Sequence, residues 1–242
     1  MVIGGESNKG LVREINQDSM YLPRKNCPPL FVVADGMGGH KAGEIASKLT
    51  VDIIRQKISH NSSNISNLAD VSKTIKDAVE LANKEVFKYS LDNSDCKGMG
   101  TTVTLGYVYK NNFVVGHVGD SRAYYLRNNK LIRITDDHSL VNELIKTGEI
   151  TKTQALTHPQ RNIILRAVGT SSEIDIDIDS VEIKINDIFI ICSDGLTNMV
   201  DESTIQDIFE INEDIEKACE LAIKAAIDNG GKDNITVIGI RF

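Results

Sequence analysis

The sequence predicts an α+β fold in which antiparallel sheets carry helices on their outer faces. Three observations predict it. Short runs rich in β-branched residues recur near residues 30–35, 101–109, 112–119, 121–127, 130–134, 181–185, 188–192 and 235–241. Several of these runs are joined by turns too short for a crossover helix. Two pairs of helically periodic segments stand among them, one early in the chain and one late.

The chain has 242 residues, 41% hydrophobic and 25% charged, with no Pro/Gly/Ser-rich linker and no internal repeat. One domain spanning residues 1–242 is the expectation. A formal net charge of -7 argues against a nucleic-acid backbone as main partner. No apolar run reaches the roughly eighteen residues a membrane span needs. Met1 to Gly10 lacks a basic start and an apolar stretch, so a cytoplasmic protein without a secretory signal is expected. Cys27, Cys96, Cys192 and Cys219 show no Cys-x-x-Cys spacing, which disfavours a zinc ribbon or disulfide framework and suits reduced thiols.

In chain order, Leu30 to Val33 is the first strand-like run. Residues 42–58 follow as a helix, with Ile45, Leu49, Ile53 and Ile58 on one face. The polar stretch from His60 to Asn67 is a loop. In residues 68–90, Leu68, Val71, Ile75, Ala78, Val79, Ala82, Val86 and Phe87 mark a second, stronger helix. Lys110-Asn111-Asn112 and Asn128-Asn129 are hairpin turns, because Asn tolerates the positive φ that tight turns demand. The strands they join are expected to form one antiparallel meander. The polar stretch from Asp136 to Gly169, with a helix at Leu140 to Lys146 and a break at His158-Pro159, reads as an inserted flap or an ordinary surface excursion. Ile205 to Phe209 and Ile215 to Ile227 form the late helix pair, stopped by Asn229-Gly230-Gly231. Each helix pair is expected to cover one sheet face. Two such sheets packed together would bring their loop ends to one rim.

Four acidic islands would then meet there: Ala34-Asp35-Gly36-Met37-Gly38-Gly39-His40, Gly119-Asp120-Ser121-Arg122, Ser193-Asp194-Gly195 and Lys232-Asp233-Asn234. Three follow a strand-like run, and Asp233 precedes one. Converging carboxylates repel unless cations sit between them, and hard oxygen ligands suit magnesium and manganese. Asp35 could bridge two ions while the Gly36 carbonyl supplies another oxygen. Asp194 and Asp233 would complete the protein ligands. Two ions roughly 3.5–4 Å apart can share a water and clamp an in-line displacement. The Gly-Met-Gly-Gly stretch is too flexible for a strand and would turn over a bound ion. No Gly-x-Ser-x-Gly elbow or Cys-x5-Arg cradle offers a side-chain nucleophile. Arg13 has the planar fork that suits a phosphate. The chemistry expected is phosphate-monoester hydrolysis by activated water.

The ordered set Arg13-x-x-Asn16-Gln17-Asp18, Asp35-Gly36-Met37-Gly38-Gly39, Gly100-Thr101-Thr102, Gly119-Asp120-Ser121-Arg122, Ser193-Asp194-Gly195-Leu196 and Asp233-Asn234-x-Thr236 resembles the metal-dependent protein phosphatases of type 2C. It looks most like the compact bacterial members that oppose Ser/Thr kinases, and the match covers essentially the whole chain. The resemblance implies a central β-sandwich of two antiparallel sheets flanked by helix pairs, with residues 136–169 as the flap. It implies a dinuclear Mn2+ or Mg2+ centre, bridged by Asp35 and ligated by the Gly36 carbonyl, Asp194 and Asp233. Asp18 would orient metal-bound water, and Arg13 would hold the substrate phosphate. Asp120 would share a third, weaker metal with Asp194.

The implied activity is hydrolysis of phosphoserine and phosphothreonine in proteins by a water bridging two metals, reversing kinase signalling. A Ser/Thr kinase and its substrates are the implied partners, and a monomer is expected. Two positions depart from animal members: Met37 stands where they have a histidine, and Gln17 where they have a glutamate. The general acid is left between His40 and water on the third metal. His117 reads as a packed core residue, and His138 as a loop residue or a contact to Arg161 or substrate. Thr101 and Thr102 should satisfy strand ends near the site. A binding module without turnover is disfavoured because Asp35, Asp194 and Asp233 are all present. A nucleotide hydrolase is disfavoured because the sequence shows no pocket for a base.

Overall fold

The computed structural model describes residues 1–39 and 42–242. Its elements in chain order begin with β1 (Val2–Asn8), β2 (Asp18–Tyr21), β3 (Leu30–Met37), α1 (Ala42–Asn61) and α2 (Leu68–Asp92). Then come β4 (Gly100–Thr101), β5 (Val103–Tyr109), β6 (Asn112–Val118), β7 (Arg122–Arg127), β8 (Lys130–Arg133), α3 (Leu140–Lys146) and α4 (Lys152–Leu156). The chain closes with β9 (Asp177–Glu182), β10 (Ile188–Cys192), α5 (Asp194–Thr197), α6 (Glu202–Ile211), α7 (Ile215–Asp228) and β11 (Ile235–Arg241).

Among the described residues the strands form two antiparallel sheets, ordered β1-β11-β10-β7-β8 and β2-β3-β5-β6-β9, with β4 added to the end of β3. The sheets pack face to face. Phe31, Val33, Phe113, Val115, Phe189, Ile191, Ile238 and Ile240 fill the space between them, where the Phe113 and Phe189 rings stack at 4.2 Å. The alternate side chains turn outward under helices. Leu30, Val32 and Ala34 lie under α1 and α2, while Ile188, Ile190, Ile235 and Val237 lie under α6 and α7. Burial on both faces explains why these strands read as unbroken apolar runs rather than alternating ones. The result is the predicted sandwich, with one helix pair on each outer face.

Several expectations are corrected. The two hairpins are present, with Asn128 and Asn129 at φ 51° and 57° and Lys110 at φ 52°, but they do not form one meander. β5 and β6 belong to one sheet, β7 and β8 to the other. β6 is already paired on both sides by β5 and β9, so β7 finds no free edge there and crosses over. β1 and β2 were not foreseen. Gly4-Gly5 and the leading Asp18 weaken the strand signal of both segments. The strand expected at 181–185 runs instead over Asp177–Glu182. Its alternation of Ile176, Asp177, Ile178 and Asp179 puts apolar side chains toward the α2 layer and charges along an exposed sheet edge.

α1 also buries a different stripe. Of the expected face only Ile58 is fully buried, together with Ala46, Ser47, Thr50, Val51 and Ile54, whereas Ile45, Leu49 and Ile53 are only partly so. Small residues on the sheet side let this helix approach closely. Gly36 and Met37 continue β3 by pairing with Thr101 and Gly100, so the glycine stretch is not all loop. The excursion at 136–169 holds α3 as expected and α4 in addition. Its ends are pinned by backbone bridges between Ser139 and Ile164 and between Thr101 and Val168.

Antiparallel pairing then fixes the rim. Asp18 faces Asp35, Val103 faces Val118, and Cys192 faces both Arg122 and Val237. The ends of β3, β6 and β10 and the starts of β2, β7 and β11 therefore meet at one end of the sandwich.

Candidate active site

Asp35 stands in β3 with its peptide group fully engaged. Its N–H donates to Thr102 Oγ1 at 3.0 Å, and its carbonyl accepts the Thr101 hydroxyl and the Thr102 N–H, each at 2.8 Å. Thr101 and Thr102 thus satisfy the strand end, as their position predicts. Thr102 Oγ1 also lies 2.8 Å from Ser121 Oγ, which ties Asp35 to the turn carrying Asp120. The Gly36 N–H donates to the Gln17 carbonyl at 3.1 Å.

Asp18 is buried opposite Asp35. Its Oδ2 accepts hydroxyls from Ser193 at 2.8 Å and Thr236 at 2.7 Å, while Oδ1 is buried without a hydrogen-bond partner. Asn16 braces the same strand start, accepting the Asp18 N–H at 3.2 Å and donating to Ser7 Oγ at 2.9 Å. Asp194 opens α5 rather than hanging from a strand end, and Asn198 Nδ2 donates to its Oδ2 at 2.9 Å. The Ser193-Asp194-Gly195 and Asp233-Asn234 segments press backbone to backbone. A Cβ on Gly195 would stand 1.9 Å from the Asn234 carbonyl oxygen, so no larger residue fits.

Asp233 accepts the Arg13 guanidinium at 2.8 Å. Arg13 is half exposed at the rim, and its hydrogen bond to Asp233 holds its pKa above the ordinary value. Asp120 lies in the turn between β6 and β7, with Oδ1 buried and unpartnered. The structure therefore brings Asp18, Asp35, Asp120, Asp194, Asp233 and Arg13 to one end of the sandwich. His40 lies outside the described residues.

Asp18, Asp35, Asp120 and Asp194 share one electrostatic signature. Removal from water is the first cause in each, and the neighbouring negative charges add to it. Asp18 is pushed up to about 7 despite its two hydroxyl donors. Asp120 is pushed up to about 8, by burial first and then by the charge of Asp194. Asp35 is raised well above the carboxylate range, chiefly beside Asp18, and Asp194 is raised beside Asp233. Two like charges about 4 Å apart cost about 4 kcal/mol at an effective dielectric of about 20. Such a cluster is stable as anions only with cations among its members.

Among the described residues no trio of His, Cys, Asp or Glu side chains is already drawn in around one point. Magnesium and manganese do not need one. They are held by one or two carboxylates, carbonyls and several waters. Two buried, unpartnered carboxylate oxygens and an all-oxygen donor set fit such ions.

Residues 12–224 match the family described as Protein phosphatase 2C. The chain belongs to that family. It is 37% identical over 233 residues to the serine/threonine phosphatase Stp of Listeria welshimeri, covering 96% of this chain and 92% of that one. Among solved structures it is similar to the serine/threonine phosphatase Stp1 from Staphylococcus aureus, at 34% identity and a TM-score of 0.93, over 99% of this chain and 94% of that one. It is also similar to the catalytic domain of the phosphatase PstP in complex with two manganese ions, at 32% identity and a TM-score of 0.83, over 98% and 96% of the two chains. The protein is a Ser/Thr phosphatase of the 2C type.

In this phosphatase several residues of the sequence motifs hold the site together without being candidate ligands. Asn234 is the clearest. Its Nδ2 donates to the carbonyls of Lys9 at 2.9 Å and Ile15 at 3.0 Å, and its Oδ1 accepts the Gln17 N–H at 2.8 Å. One side chain thus staples the loop that carries Arg13. His117 is packed in the core as expected, between Thr104 Oγ1 at 2.9 Å and the Asp136 carbonyl at 3.1 Å. Burial pushes its pKa down to about 3. His138 does not meet Arg161, which donates to the Leu156 carbonyl instead; its ring faces Gly119, Asp177 and Arg166. The Arg122 guanidinium is held bidentately by Asp137, at 2.7 and 3.1 Å.

Proposed function

We propose that this phosphatase hydrolyses phosphoserine and phosphothreonine in proteins with two divalent cations, Mn2+ or Mg2+, held by Asp35, the Gly36 carbonyl, Asp194 and Asp233. Asp120 and Asp194 would hold a third, weaker ion. The observation that carries this reading is the convergence of carboxylates from distant segments, Asp18 buried and Asp35, Asp120, Asp194 and Asp233 partly buried, two of them with a buried oxygen that no protein group satisfies. When bound, the cations supply an activated water at neutral pH and neutralise charge on the phosphoryl group.

The chain's own residues do the rest. Asp18 presents Oδ1 toward the cluster because both hydroxyls hold Oδ2, so it can orient a water. Arg13 binds the phosphate through its planar fork, and the Asn234 staple keeps its loop in place. The flap at 136–169 meets the protein substrate. His40 and solvent ordered by Asp120 are the two sources of a proton for the leaving serine or threonine oxygen.

A sequence with no aromatic or Gly-rich pocket for a base favours a phosphoprotein over a nucleotide. The phosphatase would act as a monomer in the cytoplasm, on a Ser/Thr kinase and its substrates. No helix among the described residues is long and apolar enough to cross a membrane.

The test is hydrolysis of a phosphothreonine peptide with EDTA and then with manganese restored. Activity that vanishes and returns supports the reading, and activity indifferent to EDTA refutes it. A small phosphoester assayed in parallel checks the substrate class.

A further inference from the structure

We propose that His138 is a positioning residue for Asp120: it pins the Gly119-Asp120-Ser121 turn and ties it to the Arg166 limb of the flap. This rests on the reading of Asp120 as a metal ligand. Asp120 Oδ1 has no hydrogen-bond partner, so its direction depends on how firmly the turn is held.

The turn is gripped from two sides. Gly119 adopts φ +113°, and a Cβ there would stand 2.6 Å from the Thr102 side chain. Thr102 is the same residue that binds the Asp35 N–H and Ser121. On the opposite side His138 makes a two-bond pinch. Its backbone N–H donates to the Gly119 carbonyl at 2.7 Å, and its Nδ1 accepts the Gly119 N–H at 3.0 Å.

That acceptance fixes the tautomer, because Nδ1 must be bare and the ring proton must sit on Nε2. Nε2 lies 3.1 Å from Asp177 Oδ2 in β9. Asp177 Oδ1 in turn accepts Arg166 at 2.7 Å, and Arg166 Nη1 stands 3.1 Å from the same ring nitrogen. The ring cannot rotate without breaking both sets of contacts.

The test uses manganese binding by calorimetry and hydrogen exchange at the Gly119–Ser121 amides of the metal-free protein. Wild type is compared with His138→Leu, His138→Asn, Asp177→Ala and an Asp120→Ala control. His138→Leu is expected to weaken the manganese site that Asp120→Ala removes by about 10-fold or more and to speed exchange in the turn. His138→Asn should restore both, since its Oδ1 can accept the Gly119 N–H where Nδ1 did. Asp177→Ala should shift both in the same direction as His138→Leu, by less.

A folded His138→Leu protein with wild-type binding and exchange overturns the proposal. Should that variant not fold, wild-type behaviour of Asp177→Ala overturns it. Manganese binding unchanged in Asp120→Ala would instead refute Asp120 as a ligand, and the exchange data would then decide whether His138 holds the turn.

Discussion

Ser193 at the end of β10 donates its hydroxyl to Asp18 at the start of β2, joining the two sheets across 2.8 Å. Thr236 in β11 donates to the same oxygen at 2.7 Å. Both donors therefore turn the other carboxylate oxygen, which is buried and unpartnered, into the cluster. Thr236→Val keeps the shape and removes one donor, and Ser193→Ala removes the other. Each is expected to weaken manganese binding by about 10- to 100-fold, the usual cost of losing a group that orients a metal site. Calorimetric titration of the metal-free protein checks it. Unchanged affinity in both variants would show that the hydroxyls do not set the direction of Asp18.

Asn234 carries three hydrogen bonds to the loop of residues 9–17, and Arg13 rides on that loop. If Arg13 binds the substrate phosphate as proposed, Arg13→Ala should chiefly raise KM, because such a contact is made before the transition state. Asn234→Ala should do the same without touching the guanidinium, and should also destabilise the fold by about 1 kcal/mol by removing hydrogen bonds to part-buried backbone groups. Steady-state kinetics and urea unfolding separate the two effects. A wild-type KM in Asn234→Ala would mean that the loop holds its place without the staple.

The fold class and the convergence of the aspartates were legible because their signals are local. Leu30 to Val33 and Ile188 to Ile191 are apolar enough to be strands on any reading, and each leads toward an aspartate. What was not legible depends on pairing partners. Nothing around Gly119 says that the chain leaves one sheet for the other; that follows from β6 having both edges occupied. Val2–Asn8 becomes a strand because β11 offers it an edge, despite two glycines. The roles of Asn234, Ser193 and Thr236 were hidden for the same reason. A short polar side chain shows its type in the sequence, but its partners lie 175 to 225 residues away.

The crowded carboxylates predict a trade of stability against activity. In the metal-free protein their mutual repulsion and burial work against folding. Asp120→Asn keeps the shape and removes a carboxylate that folding must either crowd among like charges or protonate. We expect it to raise the stability of the chelated protein by about 1 kcal/mol, about 2–4 °C in Tm for a chain of this size, while weakening turnover. Thermal unfolding in EDTA, compared with activity in manganese, reads both. A lower Tm for Asp120→Asn in EDTA would show that repulsion is not what strains the cluster.

His117 predicts an acid sensitivity of its own. Its ring is buried and held neutral, with its pKa near 3, whereas in the unfolded chain it titrates at the ordinary value of about 6.5. Between these values the unfolded state binds a proton that the folded state refuses. Folding stability therefore falls as pH drops below about 6.5, by about 1.4 kcal/mol per unit, until the folded pKa is reached. From pH 7 to pH 5 this residue alone should account for about 2 kcal/mol. His117→Gln keeps a polar side chain beside Thr104 and cannot titrate. Its stability at neutral pH will differ somewhat from wild type, so the decisive quantity is the change between the two pH values. Urea unfolding at pH 7 and pH 5 should show a loss about 2 kcal/mol smaller in His117→Gln than in wild type. An equal loss in both would mean that the imidazole becomes protonated in the folded protein, with the Asp136 carbonyl and Thr104 hydroxyl accepting the charge.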